Sequence, residues 1–266
     1  MAKIGIITVT YNSGAVIVDF LNSLMNQHNS DWQLYLIDSA SQEDTLIKVA
    51  SYQSEKITIL RQNENVGFAR GNNIGVAQAI KDGCNELLLI NNDTEFCAEF
   101  LTLLLNERSK YPDSALTPKI FYPDGKTLWC AGGGFRPAQA YAAYHRGENE
   151  IDIGQYDYDG VCDFVPMCCV LIPVQIWQKV GKLDEKFFIY SEDADWFFRA
   201  KLCGVQLRYC YQPKLIHKVS SLTGGAQSAT GAFYGSRNRI YFLRKNFSGI
   251  RKFRHITIDL VGMWYK

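Results

Sequence analysis

Glu86-Leu87-Leu88-Leu89-Ile90-Asn91-Asn92-Asp93-Thr94 is the stretch on which the fold turns. Leu87 to Ile90 are four apolar residues in a row, the pattern of a strand buried on both faces inside a parallel sheet. The run stops abruptly at two amides and a carboxylate. Open α/β sheets bind their ligands at the carboxyl ends of strands. A carboxylate flanked by amides in that place suits a divalent metal carrying a diphosphate. The competing reading of Asn91 to Thr94 is a turn that caps the following helix.

Upstream of this stretch, strand and helix signals alternate. Ile4 to Val9 is strand-like. Ala15 to Gln27 places Val16, Phe20, Leu21 and Leu24 at helical spacing. Leu34 to Ile37 is a second apolar run, ending on Asp38, and Ile57 to Leu60 a third, ending on Arg61. A helix is expected over Ala69 to Lys81. The order β-α-β-α-β-α-β predicts an α/β fold with a mostly parallel central sheet and helices on both faces. Three strands end in polar groups: Thr10-Tyr11-Asn12, Asp38-Ser39 and Asn91-Asn92-Asp93. Polar groups gathered along one sheet edge predict a site there. No phosphate-binding P-loop is present, and no G-x-G-x-x-G follows the first strand. The glycine-rich Gly67-Phe68-Ala69-Arg70-Gly71 comes after the third strand and opens a helix, whose N-terminus favours anions.

The second informative stretch is Phe187 to Trp196, which contains Tyr190-Ser191-Glu192-Asp193-Ala194-Asp195. Ser191 reads as an N-cap, and acids in the first turn complement the helix dipole. Three acids in four residues exceed what a cap requires. A carboxylate at a helix start, beside an apolar wall, fits a general base. Farther on, His217 follows a short strand expected over Gln206 to Tyr209. A lone histidine is usually structural, but this chain already offers a metal-type carboxylate for it to join.

Composition sets the outer bounds. The 266 residues are 47% apolar, enough for a full core, and the net charge of +1 argues against a nucleic-acid partner. The eight cysteines form no C-x-x-C pair and read as reduced, mostly buried small hydrophobes. The N-terminus runs straight into a strand, so no signal peptide is expected, and no run reaches the ~20 apolar residues of a membrane span. A cytoplasmic protein follows. From Tyr234 onward the charge is strongly positive: Arg237, Arg239, Arg244, Lys245, Arg251, Lys252, Arg254 and Lys266 face a single acid, Asp259. Phe247, Phe253 and Trp264 lie among them. Interleaved basic and apolar residues suit an anionic membrane surface. The alternative is a helix packed on the body with a solvated basic face. The chain stops straight after Met263-Trp264-Tyr265, as a piece of a longer protein would.

Taken together, the chain resembles the family 2 glycosyltransferases of the GT-A fold, especially the bacterial rhamnosyltransferase-like branch. The matching pieces are Thr8 to Ser13, Leu36 to Ser41, Asn63 to Asn73, Leu89 to Asp93, Val180 to Phe188, Glu192 to Asp195, His217, and Tyr234 to Phe247, in the family's order over nearly the whole chain. The resemblance implies a GT-A-type, Rossmann-like sheet followed by a basic C-terminal helical segment. Residues 1–233 would form the catalytic domain, with a nucleotide-binding half over 1–95 and an acceptor-side half over 96–233. Residues 234–266 would form the basic amphipathic segment. Thr10, Tyr11, Asn12, Asp38, Arg70, Asn91, Asn92 and Asp93 would bind the nucleotide sugar, with Tyr11 and Asp38 on base and ribose and Arg70 near phosphate. Asp93 and His217 would hold Mg²⁺ or Mn²⁺, and Asp193 would be the catalytic base. Glu192, Asp195 and Trp196 would face the acceptor. Two departures from the family stand out: Asn91 replaces the first carboxylate of its D-x-D motif, and Ser-Ala-Ser follows Asp38 where Asn-x-Ser is usual.

The implied function is inverting, metal-dependent transfer of a sugar from a nucleoside-diphosphate sugar. The first donor expected is dTDP-L-rhamnose and the second a UDP-hexose. The expected acceptor is a lipid-linked glycan of surface polysaccharide synthesis, at the inner face of the membrane. A sugar-nucleotide nucleotidyltransferase is the first alternative. It needs a glycine-rich basic loop after the first strand, where this chain has Tyr11-Asn12-Ser13. A non-catalytic sugar-binding relative is the second.

Overall fold

The computed structural model describes residues 3–42, 44–52, 54–218 and 228–264, with side chains as far as Asp259. The expected apolar runs form β1 (Ile4–Thr10), β2 (Trp32–Asp38), β3 (Ile57–Arg61) and β4 (Glu86–Ile90). They are joined by α1 (Ile17–Met25), α2 (Thr45–Ala50) and α3 (Gly67–Lys81). All four strands are parallel, in the order β3-β2-β1-β4. The register sets Thr10 opposite Asp38 and Ile7 opposite Leu89, so the polar strand ends lie along one edge.

The sequence then builds outward from β4 with β5 (Thr94–Phe96), α4 (Phe100–Lys110), β6 (Ser114–Phe121) and β7 (Leu128–Cys130). Next come β8 (Gly133–Arg136), β9 (Ala142–His145), β10 (Gly160–Cys162), β11 (Cys169–Pro173) and α5 (Val174–Val180). The last elements are α6 (Glu192–Leu202), β12 (Gln206–His217), α7 (Ala229–Asn246) and α8 (Gly249–Trp264). The sheet continues β4-β11-β6-β12-β10, with β11 antiparallel to both its neighbours; β8 and β9 pair separately. Antiparallel β11 sets Cys169 opposite Ile90, which brings Cys168 beside Asn91 at the functional edge.

Two expectations are corrected here. Asn91 to Thr94 caps no helix: it leads into β5, which pairs with the end of β12. The strand expected over Gln206 to Tyr209 runs on to His217, with a register break between Tyr209 and Lys214. Proline lacks a ladder donor and reads as a strand terminator, yet Pro213 sits at that irregularity, where the missing N–H is tolerated.

Helices cover both faces of the sheet. The α1 residues Ile17, Phe20, Leu21 and Leu24 bury one stripe, joined by Phe100, Leu101 and Leu104 of α4. The other face is covered by Ala69, Val76 and Ala79 of α3, Trp177 of α5, and Trp196 and Phe197 of α6. Gly71 and Gly75 let α3 lie hard against the sheet. A Cβ at Gly71 would stand 2.7 Å from Val9, and one at Gly75 2.6 Å from Ile7 and Ile37. All eight cysteines are free thiols, six of them buried.

The boundary expected at 233/234 falls inside α7. Phe242 and Leu243 of that helix are buried with Phe187, Phe198 and Ala140, so α7 packs into the body of the fold. Expectations placed on the side chains of Leu260 to Lys266 lie outside the described residues.

Candidate active site

The sheet edge at the ends of β1 and β2 is tied together by its own polar groups. Asn12, in the left-handed region at φ 51, accepts at Oδ1 from the Gln42 amide at 2.8 Å. Its own amide donates to Ser41 Oγ at 3.0 Å. Asp38 is buried and accepts from the Ser41 amide. Tyr11 is exposed beside them. Thr10 Oγ1 and Ser39 Oγ are buried at the same edge with no partner among the described residues. Asn92 turns inward, its amide donating to Val9 O at 3.0 Å and Ser13 Oγ at 3.1 Å. Its Nδ2 therefore fixes the end of β4 against β1 rather than pointing at a ligand. Arg70 lies on the surface in an ion pair with Glu64 at 3.2 Å. The amides of Phe68 and Ala69 at the start of α3 are taken by the carbonyl of Phe188, so this helix end does not offer them to an anion.

Asp93 and His217 meet although they lie far apart in the chain. The pairing of β5 with β12 sets His217 opposite Thr94, and the Lys218 amide donates to Asp93 O at 2.8 Å. His217 Nε2 lies 3.1 Å from Asp93 Oδ1, and both side chains are buried. His217 Nδ1 is buried without a partner among the described residues. The Trp129 ring packs edge-on against His217, with centroids 4.5 Å apart, and against His145 at 4.7 Å. Burial pushes His145 down to about 4, so that ring is neutral at physiological pH. Trp129 and His145 carried no signal in the sequence, because their apposition depends on how β7 and β9 fold back.

Residues 167–168 connect this pair to the acids of α6. The Asn91 amide donates to Cys168 O at 2.9 Å, and the Met167 amide lies near enough to the Asp193 carboxylate to lower its pKa. Burial raises the Cys168 thiol well above its ordinary value, with Asp93 and Asp193 both near enough to add to the effect. Asp193 Oδ1 also accepts from the Ala194 amide at 2.7 Å. Burial pushes Asp193 up to about 6, while backbone donors hold it from rising further. Glu192 is raised well above the usual carboxylate range, by burial first and then by the charge of Asp193. Its Oε2 has no partner among the described residues. Two adjacent carboxyls pushed apart in this way leave Asp193 as the one that ionises first.

The other acceptor-side expectations are corrected. Asp195 is fully buried, held by Arg199 at 2.8 Å, Lys245 at 2.8 Å and Asn246 at 2.9 Å. It joins α6 to α7. Trp196 is also fully buried, donating to Gly181 O at 2.8 Å and stacking on Trp177. Both side chains are satisfied inside the fold. Ser191 precedes α6 in the left-handed region and makes no side-chain cap.

The Asp93–His217 pair fits a divalent ion. Two neighbouring ligands of an octahedral ion at about 2.1 Å stand roughly 3 Å apart, which matches the observed 3.1 Å. A carboxylate oxygen with an imidazole nitrogen is a donor set taken by first-row divalent metals.

Residues 5–170 match the family model described as Glycosyl transferase family 2. The chain is similar to the dTDP-rhamnosyl transferase RfbF of Shigella flexneri, 20% identical over 255 residues that cover 90% of this chain and 79% of that protein. It is similar to the N-acetylglucosaminyl-diphospho-decaprenol L-rhamnosyltransferase of Mycobacterium tuberculosis, 24% identical over 246 residues, or 82% of this chain and 77% of that one. Among solved structures, the mannosyltransferase PcManGT from Pyrobaculum calidifontis, in complex with GDP-Man and Mn²⁺, superposes with a TM-score of 0.64 at 12% identity. The superposition covers 94% of this chain and 66% of that one, a likeness of fold. The matched region takes in the whole parallel half of the sheet and the strand end that carries Asp93, and the fold is of the GT-A type: the chain is a glycosyltransferase and belongs to glycosyl transferase family 2.

Proposed function

We propose that this enzyme transfers a hexose, with inversion, from a nucleoside-diphosphate sugar to a hydroxyl of a lipid-linked glycan. The observation that carries this reading is the Met167–Cys168 segment, which lies between the two groups: the Cys168 carbonyl accepts from Asn91, beside Asp93, and the Met167 amide lies near enough to the Asp193 carboxylate to restrain its pKa. Asp193 takes the acceptor proton as the acceptor oxygen bonds to the anomeric carbon. The bond from that carbon to the diphosphate oxygen breaks on the opposite face, and the nucleoside diphosphate leaves with the electron pair. A proton acceptor titrating near neutrality suits this task. Asp93 and His217 would hold Mg²⁺ or Mn²⁺, and such an ion offsets charge developing on a diphosphate. Asp38 and Tyr11, with the unsatisfied hydroxyls of Thr10 and Ser39, form the surface for base and ribose. RfbF, named as a dTDP-rhamnosyl transferase, favours dTDP-L-rhamnose as donor, ahead of a UDP-hexose. The mycobacterial relative's diphospho-decaprenol substrate favours a lipid-linked acceptor.

A thermal-shift screen of nucleotides and sugar nucleotides with and without Mn²⁺ tests the donor, because a ligand that binds only the native state raises its melting temperature. The expected shift is largest for a dTDP species with Mn²⁺. NMR of the product then reads the anomeric configuration, and retention would overturn the mechanism. Intact donor after long incubation with a full range of acceptors would point to a non-catalytic relative.

No helix among the described residues is long and apolar enough to cross a membrane. The basic C-terminal segment divides into two parts. In α7, Arg237, Arg239 and Lys245 are bonded to groups of the protein itself. In α8, His255 is buried against Tyr141 and Phe247, and Asp259 pairs with Arg239. The remaining surface of α8 shows Ile250 at 86% and Phe253 at 72% exposure, with Arg251 and Arg254 exposed between and beside them. Phe247 packs on Tyr141 and Phe198, so it is withdrawn from the membrane role expected of it. We assign the α8 surface to the cytoplasmic face of an anionic membrane. Each basic residue there contributes on the order of 1 kcal/mol. Wild-type protein is expected to co-sediment with anionic vesicles, less so as salt rises, and charge reversal at Arg251, Lys252 and Arg254 is expected to abolish it. The triple variant should retain activity on a short soluble acceptor and lose it on a lipid-linked one. Wild-type protein left in the supernatant at low salt would reduce α8 to a packed helix with a solvated face.

A further inference from the structure

The residues from Tyr234 to Phe247, along α7 and at its C-terminal end, have no role in the chemistry above. We infer that Arg237 and Asn238 are positioning residues for glycosyl transfer, clamping the backbone of residues 186–190 and so fixing the start of α6, which carries Asp193. The inference rests on the reading of Asp193 as base.

The loop before α6 is strained. Phe188, Tyr190 and Ser191 all have positive φ, at 64°, 69° and 69°, and none is glycine. Such residues cost of order 1–3 kcal/mol each and persist only where their surroundings over-determine them. Asn238 supplies that constraint. It is fully buried, and its Nδ2 lies 2.7 Å from Phe187 O, 2.7 Å from Ile189 O and 2.8 Å from Tyr190 O. Its Oδ1 accepts from Arg237 Nε at 2.9 Å, which sets the amide with its N–H groups toward the loop. Arg237 Nη2 donates onward to Lys186 O at 2.7 Å and Phe187 O at 3.0 Å. The carbonyl of Phe188 is taken from the other side by the amides of Phe68 and Ala69. Every carbonyl from Lys186 to Tyr190 thus accepts from a donor on α7 or α3.

The rest of the same α7 face supports the grip. Tyr234 stacks on Phe188 with ring centroids 5.1 Å apart. Tyr241 and Lys245 both reach Asp184 at 2.8 Å, and Lys245 also holds Asp195. Residues 234, 238, 241 and 245 recur at helical spacing, so one face of α7 grips the chain on both sides of Asp193.

Asn238→Asp keeps the shape and removes both N–H donors. A displacement of about 1 Å at a reacting group can cost on the order of 10²-fold. The variant is therefore expected to lose about 10–100-fold in kcat, with the donor KM changed less than about threefold, because the donor side stands on β1, β2 and β4. Amide hydrogen exchange over 187–193 should accelerate, a readout independent of the chemistry. Arg244→Gln, on an exposed part of α7, serves as the control and should match wild type. If Asn238→Asp fails to fold, Arg237→Gln, which removes the outer bonds, should show a smaller fall of the same kind. Wild-type kcat in either folded variant, alongside an inactive Asp193→Asn, overturns the clamp and leaves the base standing. A kcat loss matched by an equal loss of donor affinity also overturns it, since that pattern reports general disruption. An active Asp193→Asn overturns the base, and unchanged exchange over 187–193 in Asn238→Asp then overturns the clamp as well.

Discussion

Asp193→Asn is expected to lower turnover by about 10²–10⁴-fold, the range usual for losing a general base, with donor binding retained. The substitution keeps the acceptor oxygen that meets the Ala194 amide, so the start of α6 stays in place. What it removes is the group that receives the proton. Wild-type turnover should itself depend on pH in the same sense. The burial that pushes Asp193 up to about 6 keeps it protonated in acid, so activity should fall as pH drops through about 6, and that limb should vanish in the variant. The sign for stability is the reverse. A carboxyl whose folded pKa lies above its unfolded one contributes stability below the unfolded pKa and loses it as pH rises through the folded one. The amide introduced by Asp193→Asn cannot ionise, so the variant should gain in melting temperature relative to wild type at pH 8 and show no gain at pH 4. Near-normal turnover would move the base to Glu192. Asp195 cannot take its place, because Arg199, Lys245 and Asn246 already occupy both its oxygens.

The parallel half of the sheet was legible from the sequence because its inner strands β1, β2 and β4 are largely buried on both faces and so read as apolar runs. Leu87 to Ile90 admits few other readings. The polar strand ends were legible for a related reason: Asp38 and Asp93 break otherwise apolar runs, and the structure sets both at one edge of the sheet. The far half of the site was not. Gln206 to His217 is one strand interrupted by Pro213, and nothing local to the sequence shows that the strand resumes. The three acids of Glu192 to Asp195 look equivalent as letters. Only tertiary contacts separate them, with Asp193 at the site edge, Glu192 buried with an unsatisfied oxygen and Asp195 bound to α7. Trp196 was assigned to the acceptor from its neighbours in sequence, but a helix turns about 100° per residue, and that rotation carries its ring into the core. The basic tail divides between two helices that bury different faces, which the sequence alone does not show. Net charge was readable, whereas the division into cations spent inside the fold and cations left outside depends on which face each helix buries.

Chelation by EDTA is expected to abolish activity, and Asp93→Ala to weaken binding of the nucleoside diphosphate in the presence of Mn²⁺. Family resemblance places a two-carboxylate motif at this strand end, and here Asn91 leaves one. The protein's remaining contribution is His217, 3.1 Å from Asp93 and braced by Trp129. A neutral amide at position 91 adds no charge to attract the ion, so affinity for the free metal should be modest and should rise when diphosphate oxygens complete the coordination, as is common for Mg²⁺. Titration calorimetry should accordingly show Mn²⁺ binding strengthened by the nucleoside diphosphate, and the diphosphate bound more tightly with Mn²⁺ by the same factor, since coupling of this kind is reciprocal. Asp93→Ala also leaves His217 Nε2 buried without its partner, at a cost of about 1–3 kcal/mol, so Asp93→Asn is the companion variant that preserves the contact without the charge. Loss of coupling in both variants assigns it to the carboxylate. Full activity in a metal-free preparation would sink the metal reading and require the diphosphate charge to be met by side chains. Arg70 is the first to test for that role, because among the described residues an exposed pair with Glu64 is what holds it, and a pair of that kind is worth at most about 1 kcal/mol.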